Sequence, residues 1–389
     1  MAKNAGPRRE PNGTWSFVVD IGVDPGTGRR RQVRRRGFGT KRVAQEEFDR
    51  LRVLAHDQLY VAPSRQTLAE YLQIWLTGLP ASGLRPSTID GYRRNLEGYI
   101  IPRLGNVRVD ALTAPQLDVV YTELLVSGKR RDGTGLSKRS VRYIHTTLHK
   151  ALNDGVRKGV LARNVATAAG APSPKSTRAP EMKWWTPEQL RTFLAFTADE
   201  AVGPIFHLAA MTGMRRGEVC GLRWTDIDFD AARIEVRHQL LVIAHRLVFA
   251  ERTKTDHGRR AVDLDEGTIG VLRAQRGRQA AAKLLAGPGW IDSDLVFTQA
   301  DGSPVDPTAI VKVFDRRVAR LGVPRIRFHD LRHTHVAHLI AAGELPLLIA
   351  RRLGHASAAF TQDRYGHLFK NAGSDAATRV AAMVFGDHL

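Results

Sequence analysis

The sequence predicts a multidomain chain: a small β-sheet-plus-helix domain at the N-terminus, an all-α domain behind it, and a mixed α/β, mainly helical domain at the end. Three observations carry this. The 389 residues exceed what a single hydrophobic core usually accommodates. The apolar pattern runs with period 2 near residues 15–36, with helical period through 66–165, and as a mixture thereafter. Between the last two regimes, residues 168–180 (A-A-G-A-P-S-P-K-S-T-R-A-P) are rich in Ala, Pro and Ser and have no apolar period, as a linker does. The expected domains are 1–62, 66–170 and 181–389.

In the first, Trp15, Phe17, Val19 and Ile21 alternate as a strand does, and D-P-G-T-G at 24–28 is a turn in which Pro pre-sets φ and Gly supplies φ > 0. Residues 29–36 then return as the second strand of a hairpin, and Thr40 caps a helix with Ala44, Phe48, Leu51 and Ala55 on one face. Six of the eight residues 29–36 are arginine. A charged edge strand protects against aggregation, but six arginines exceed that need. A two-stranded ribbon fits the DNA major groove, so Arg31, Arg34, Arg35 and Arg36 are candidate DNA contacts.

Four helices are expected next. Leu68, Tyr71, Leu72 and Trp75 mark the first. Ser87-x-x-Asp90, a variant capping box, opens the second, with Ile89, Tyr92, Leu96 and Tyr99 on its stripe. Leu117, Val120, Tyr121 and Leu124 mark the third, and Val141, Ile144, Leu148 and Ala151 or Leu152 the fourth. On the fourth, Lys138, Arg142, His145 and His149 form a second stripe a quarter-turn round, placed to meet a phosphate backbone. In the last domain Thr186-Pro187-Glu188-Gln189 is a capping box with Pro at the first helical position. Ile234, Val236, His238 and Leu240 alternate as a strand, and 259–264 can pair back across a turn.

Composition narrows the function. At 43% hydrophobic and 25% charged the chain is globular, which excludes disorder throughout. Its net charge of +20 favours a polyanionic partner, nucleic acid before membrane. Residues 1–65 carry +7 and 66–178 carry +9, so the grip on nucleic acid is expected in the N-terminal half. The single cysteine, Cys220, excludes an internal disulfide framework and suits a reducing compartment. There is no apolar run long enough to span a membrane and no apolar stretch behind the basic N-terminus to make a signal peptide. A cytoplasmic protein is expected.

Four short segments in the last domain hold a chemical set: M-T-G-M-R-R-G-E (211–218), T-K-T (253–255), F-H-D-L-R-H-T (328–334), and L-G-H followed by T-Q-D-R-Y-G-H (353–367). Two arginines offer bidentate forks to a phosphoryl group. A lysine and histidines can exchange protons near neutral pH, and a tyrosine can attack once deprotonated. His329 and His333 have a helical metal spacing, but the Glu of H-E-x-x-H is absent and no third ligand is evident, so no metal is expected. No Walker-type loop occurs, and no cofactor is expected.

In this order and spacing the motifs resemble the tyrosine recombinases of the phage-integrase type, from about residue 186 to 370. Residues 66–165 resemble that family's helical core-site DNA-binding domain. Residues 10–60 are similar to the arm-site domain of integrases from mobile elements. The resemblance implies that Tyr365 attacks the scissile phosphate, giving a 3′-phosphotyrosyl intermediate and a free 5′-hydroxyl. It implies that Arg215 and Arg332 hold the non-bridging oxygens, Glu218 orients Arg215, Lys254 protonates the leaving oxygen, His329 accepts the tyrosine proton and His355 hydrogen-bonds the phosphate. It further implies double-stranded core and arm attachment sites, a homotetramer working through a Holliday junction, a bacterial host cell, an excisionase or host DNA-bending protein as accessory partner, and no requirement for metal or ATP. A Xer-like dimer resolvase, a type IB topoisomerase and a non-catalytic DNA-binding protein are the alternatives. The first usually lacks the β-rich domain, and the last leaves Tyr365 and both arginines unexplained.

Overall fold

The computed structural model describes residues 6–23, 28–57, 60, 65–129, 132–177, 182–251, 260–354, 357–366, 380 and 383–384. It divides into two compact units, Met1–Ala179 and Pro180–Leu389, and the first contains two separate hydrophobic cores.

The first core lies between a three-stranded antiparallel sheet and a helix. Strands β1 (Arg8–Arg9), β2 (Trp15–Val23) and β3 (Arg30–Phe38) lie in that order and precede α1 (Lys41–His56). Phe17 and Val19, two apart on β2 and therefore on one face, bury against Ala44, Phe48 and Leu51 of α1. Thr40 caps α1 as expected, its hydroxyl accepting the Val43 N–H at 3.3 Å. Strand β1 is an addition to the expected hairpin, and most of the D-P-G-T-G turn falls outside the described residues. Register pairs Phe17 with Arg35, Val18 with Arg34 and Val19 with Val33. The pleat therefore places Arg31 and Arg35 on the α1 side with Val33, and Arg34 and Arg36 on the opposite face. Beyond Arg35 the register shifts by one residue, and Gly37, at φ +87°, supplies the positive φ of that bulge.

The second core is all-helical: α2 (Leu68–Gly78), α3 (Pro86–Asn95), a π turn (Leu96–Ile100) leading into α4 (Ile101–Leu104), α5 (Ala114–Ser127) and α6 (Lys138–Arg157). The apolar stripes converge, with Leu72, Leu76, Leu96, Ile100, Leu117, Leu124, Val141 and Leu148 all buried. Two expectations are corrected. Ser87 is not an N-cap; α3 begins at Pro86, whose fixed φ suits the first helical position, and Asp90 instead pairs with Arg94 at 3.3 Å. The second stripe of α6 does not face open solvent. His145 is buried, accepting or donating a hydrogen bond to the Tyr121 hydroxyl at 3.0 Å, and burial lowers its pKa to about 4. Arg142 Nη1 donates to the Pro172 carbonyl at 3.3 Å, and His149 Nε2 meets Thr167 Oγ1 at 3.2 Å. Residues 164–172 thus fold back over this face, leaving Lys138 as the fully exposed member of the stripe. A quarter-turn from the apolar seam is still inside the packed sector when a following segment covers it.

The second unit contains α7 (Pro187–Thr197), α8 (Gly203–Thr212), α9 (Arg216–Cys220), β4 (Ile227–Asp228), β5 (Arg233–Val236), β6 (His238–Ile243), β7 (Arg246–Glu251), β8 (Arg260–Asp263), α10 (Glu266–Ala286), α11 (Pro307–Leu321), α12 (Asp330–Ala341), α13 (Pro346–Leu353) and α14 (Ala358–Tyr365). The Thr186–Gln189 capping box opens α7 as expected. The alternating run 234–240 is two strands rather than one: β5 joins an antiparallel sheet of order β4-β5-β8, and β6 pairs with β7 in a separate hairpin. The break falls at Arg237, whose guanidinium turns back toward Asp226 at 3.9 Å. Trp185, Phe193, Phe206, Phe314 and Phe328 build the main core, and a smaller one joins Val336, Ile349, Leu353 and Tyr365. No described helix is long and apolar enough to cross a membrane.

Candidate active site

The site assembles around α9. Helix α8 ends at Gly213 in the left-handed region (φ +63°), and a Cβ there would lie 2.7 Å from Leu353 and 2.8 Å from His335, so the T-G-M turn admits only glycine. The reversal starts α9, with Arg215 at its N-cap. The Glu218 carboxylate accepts the Arg215 backbone N–H at 2.8 Å and its Nη1 at 2.9 Å. One side chain thus caps the helix and aims the guanidinium. Glu218 is fully buried, whereas the Arg215 side chain is 35% exposed, as a group meant to meet a ligand should be.

Arg332, on the first turn of α12, is almost completely buried. Its Nη1 donates to the Gly213 carbonyl and its Nη2 to the Leu353 carbonyl, both at 2.7 Å. Burial, followed by the charge of Arg215, lowers its pKa to about 9, so it stays cationic at neutral pH but under strain. A third arginine, Arg260 on β8, was not singled out by sequence. Its Nη2 donates to Glu218 at 2.9 Å and its Nε to the Arg352 carbonyl at 2.6 Å. With Arg215 Nη2 on the Gly354 carbonyl at 3.4 Å, the three successive carbonyls of Arg352, Leu353 and Gly354 each accept from a different arginine. A helix C-terminus has unpaired carbonyls and a partial negative charge, so it draws cations. Gly354 (φ +65°) closes α13 in the left-handed turn that aims them.

Tyr365 ends α14 and is 2% exposed. Burial raises its pKa, against the opposing charges of Arg332 and Arg364. Its hydroxyl lies 2.5 Å from His333 Nδ1. His329, the expected proton acceptor, is exposed at the start of α12, with its pKa lowered by desolvation and then by Arg332. Its ring meets that of His333 edge-on at 5.3 Å. Burial pushes the His333 pKa down to about 4, so the ring is neutral, and in the tautomer with its hydrogen on Nε2 the Nδ1 atom accepts from the tyrosine. The structure therefore brings together Arg215, Glu218 and Arg332 as one cluster, and pairs Tyr365 with His333. Lys254 and His355 lie outside the described residues. The sequence does not single out Arg260, and it brings in His333 only to be weighed as a metal ligand with His329, because neither strand alternation nor helix spacing records which side chain turns in beneath Glu218 or beside Tyr365.

Of the candidate DNA contacts, Arg31, Arg34 and Arg36 are exposed on β3 and Arg35 is half-buried. Arg34 lies 3.7 Å from Glu10. Cys220 is a fully buried core residue whose thiol burial pushes up to about 12. Among the described residues no three His, Cys, Asp or Glu side chains are grouped to hold a metal.

Three family models match the chain: a phage integrase family domain over residues 183–372, an arm DNA-binding domain over 8–51, and a phage integrase N-terminal SAM-like domain over 67–125. A tyrosine recombinase XerC-like protein of Caldanaerobacter subterraneus subsp. tengcongensis is 25% identical over 386 residues, covering 95% of this chain and 96% of that one. The ICEBs1 integrase of Bacillus subtilis is 28% identical over 381 residues, covering 95% and 97%. In fold, the chain is similar to the Tn1549 transposon integrase solved in complex with transposon right-end DNA. The TM-score is 0.64 at 21% identity, covering 80% of this chain and 99% of that one.

Proposed function

The chain belongs to the phage integrase family of tyrosine recombinases, and from that premise we propose that it is the site-specific integrase of a mobile element, acting on double-stranded DNA in the bacterial cytoplasm. Tyr365 attacks the scissile phosphate, the 5′-oxygen leaves, and the bond energy is kept in a 3′-phosphotyrosine, so rejoining needs no nucleotide. The observation that carries this reading is the arginine cluster: Arg215 and Arg332, from separate motifs, converge on neighbouring carbonyls with their charge only partly compensated by Glu218. Donors held in place before the reaction stabilise the extra negative charge of a pentacoordinate phosphorane without reorganisation. Lys254 and His355 take the leaving-oxygen and phosphate roles that the family resemblance assigns them.

Residues 66–170 hold the crossover site and 1–62 the arm site, while 181–389 carry the chemistry. A β-rich module that matches an arm DNA-binding domain favours an integrase over a Xer-like resolvase. Exchanging both strands of two duplexes consumes four nucleophiles, one per protomer, so the working assembly is a homotetramer passing through a Holliday junction. An excisionase or a host DNA-bending protein acts as accessory partner.

A nicked duplex that loses its short 5′-hydroxyl fragment after cleavage tests the reading. In EDTA, wild-type protein is trapped as a denaturation-resistant adduct. Tyr365→Phe traps none while still binding the duplex, and Arg215→Ala or Arg332→Ala lowers trapping about 10²–10³-fold. An adduct formed by Tyr365→Phe, or wild-type cleavage abolished by EDTA and restored by Mg²⁺, overturns it.

A further inference from the structure

We propose that His333, rather than His329, is the catalytic base that takes the proton of Tyr365. The inference rests on the recombinase reading and names a residue that the family motifs leave without a role.

Three observations carry it. His333 Nδ1 lies 2.5 Å from the Tyr365 hydroxyl, within hydrogen-bond distance. The opposite nitrogen, Nε2, is buried without a hydrogen bond, and its nearest acid is Asp330 Oδ1 at 3.9 Å. Asp330 is fixed where it stands: its carboxylate accepts the Arg327 backbone N–H at 2.8 Å and Arg327 Nη2 at 2.6 Å, and it is 3% exposed. Nucleophile, imidazole and carboxylate thus stand in line, the order in which an acid oriented behind a base helps it accept a proton. A buried imidazole nitrogen with no partner is costly while the ring is neutral. Once Nδ1 has taken a proton the ring is cationic, and the Asp330 carboxylate is its counter-charge. His329 makes neither contact among the described residues, and its ring meets that of His333 edge-on.

The step balances. The phenolic O–H bond breaks and its proton passes to His333 Nδ1. The freed oxygen bonds to phosphorus, and the bond from phosphorus to the 5′-oxygen breaks, that oxygen taking a proton from the leaving-group acid. Rejoining reverses each transfer, and the imidazolium returns its proton to Tyr365.

The test uses the full chain on the nicked trapping duplex, with wild type, His333→Asn, His333→Gln and His329→Gln compared. Asn keeps an acceptor near the position of Nδ1 but cannot take a proton. Duplex binding by gel shift is measured in parallel. His333→Asn is expected to bind normally and cleave about 10²–10⁴-fold more slowly, the range for loss of a general base. Replacing Tyr365 with a trifluorinated tyrosine, whose phenol ionises near neutral pH unaided, should recover most of the loss in His333→Asn. A defect of packing would not respond to the acidity of the phenol. If Asn at 333 prevents duplex binding, His333→Gln carries the same comparison. Cleavage at the wild-type rate by a binding-competent His333 variant overturns the assignment, as does a loss that the acidic phenol leaves unchanged, or rescue seen in His329→Gln instead. Absence of any wild-type adduct would instead count against the recombinase reading itself, so the two failures are distinct.

Discussion

Among the described residues three histidines are buried in the neutral form, and each is a pH liability with a definite sign. His145 and His333 have pKa values lowered from 6.5 to about 4 and His335 to about 3, in each case mainly by burial. His335 is held neutral by use as well, its Nε2 accepting from Arg352 Nε at 3.1 Å. On acidification the unfolded chain takes up these protons near pH 6.5, while the folded chain resists until about pH 4. Stability is therefore full above pH 6.5 and falls as pH drops through the interval below it. The urea midpoint should decrease steadily between pH 7 and pH 4.5. His145→Gln, which can still hydrogen-bond Tyr121, should flatten that decline for the helical core, and an unaltered slope would show that His145 is protonated in the fold. At Arg260 the issue is charge rather than pH. The side chain is 5% exposed and shares Glu218 with Arg215. Arg260→Met should cost about 1–3 kcal/mol in a urea melt, the penalty for lost buried hydrogen bonds, because Glu218 keeps Arg215 as its partner.

At the level of elements, β3 and α6 teach opposite lessons about charged stripes. On strand β3 the pleat alone sorts the arginines between the two faces, because the neighbouring β2 buries Phe17 and Val19 on the face toward α1. The pleat also distinguishes the arginines. Arg34 and Arg36 occupy the face away from α1, while the charge of Arg35 reaches Glu47, whose carboxyl is held below the ordinary range chiefly by the hydrogen bond from Arg50. Arg34→Ala and Arg36→Ala should each reduce the slope of log affinity against log salt for arm-site DNA by about 1, while Arg35→Ala reduces it less. Equal slopes for all three would place the DNA on the edge of the strand rather than its open face. Helix α6 is the converse. Its apolar seam was legible from Val141, Ile144 and Leu148, but the cover over His145 and Arg142 comes from residues 164–172, a non-periodic stretch that carries no sequence signal for where it packs. The same limit explains the active site. T-G-M-R-R-G-E and H-D-L-R-H-T name Arg215, Glu218 and Arg332 because those contacts are local or motif-bound. The contacts of Arg260 and His333 span distant segments, and only tertiary packing defines them.

For the molecule as a whole, division of labour follows charge: the two N-terminal segments carry most of the +20, while the C-terminal unit gathers three arginines of separate elements in one cluster. That cluster has a thermodynamic consequence. Among the described residues Arg215 and Arg260 share the Glu218 carboxylate with Arg332 close by, and the three carbonyls at the end of α13 supply partial negative charge. These cations repel one another: the pKa of Arg332 is lowered first by burial and then by the charge of Arg215. A ligand that binds the folded state alone stabilises it by mass action, about 2.7 kcal/mol at one hundred times its dissociation constant. Sulfate or phosphate should therefore raise the melting temperature of the chain at concentrations where equal ionic strength of chloride does not. Arg215→Ala should blunt that rise while leaving the general salting-out response of the rest of the molecule intact. A phosphate bound there would act as a counterion as well as a substrate, coupling the stability of the fold to occupancy of its site.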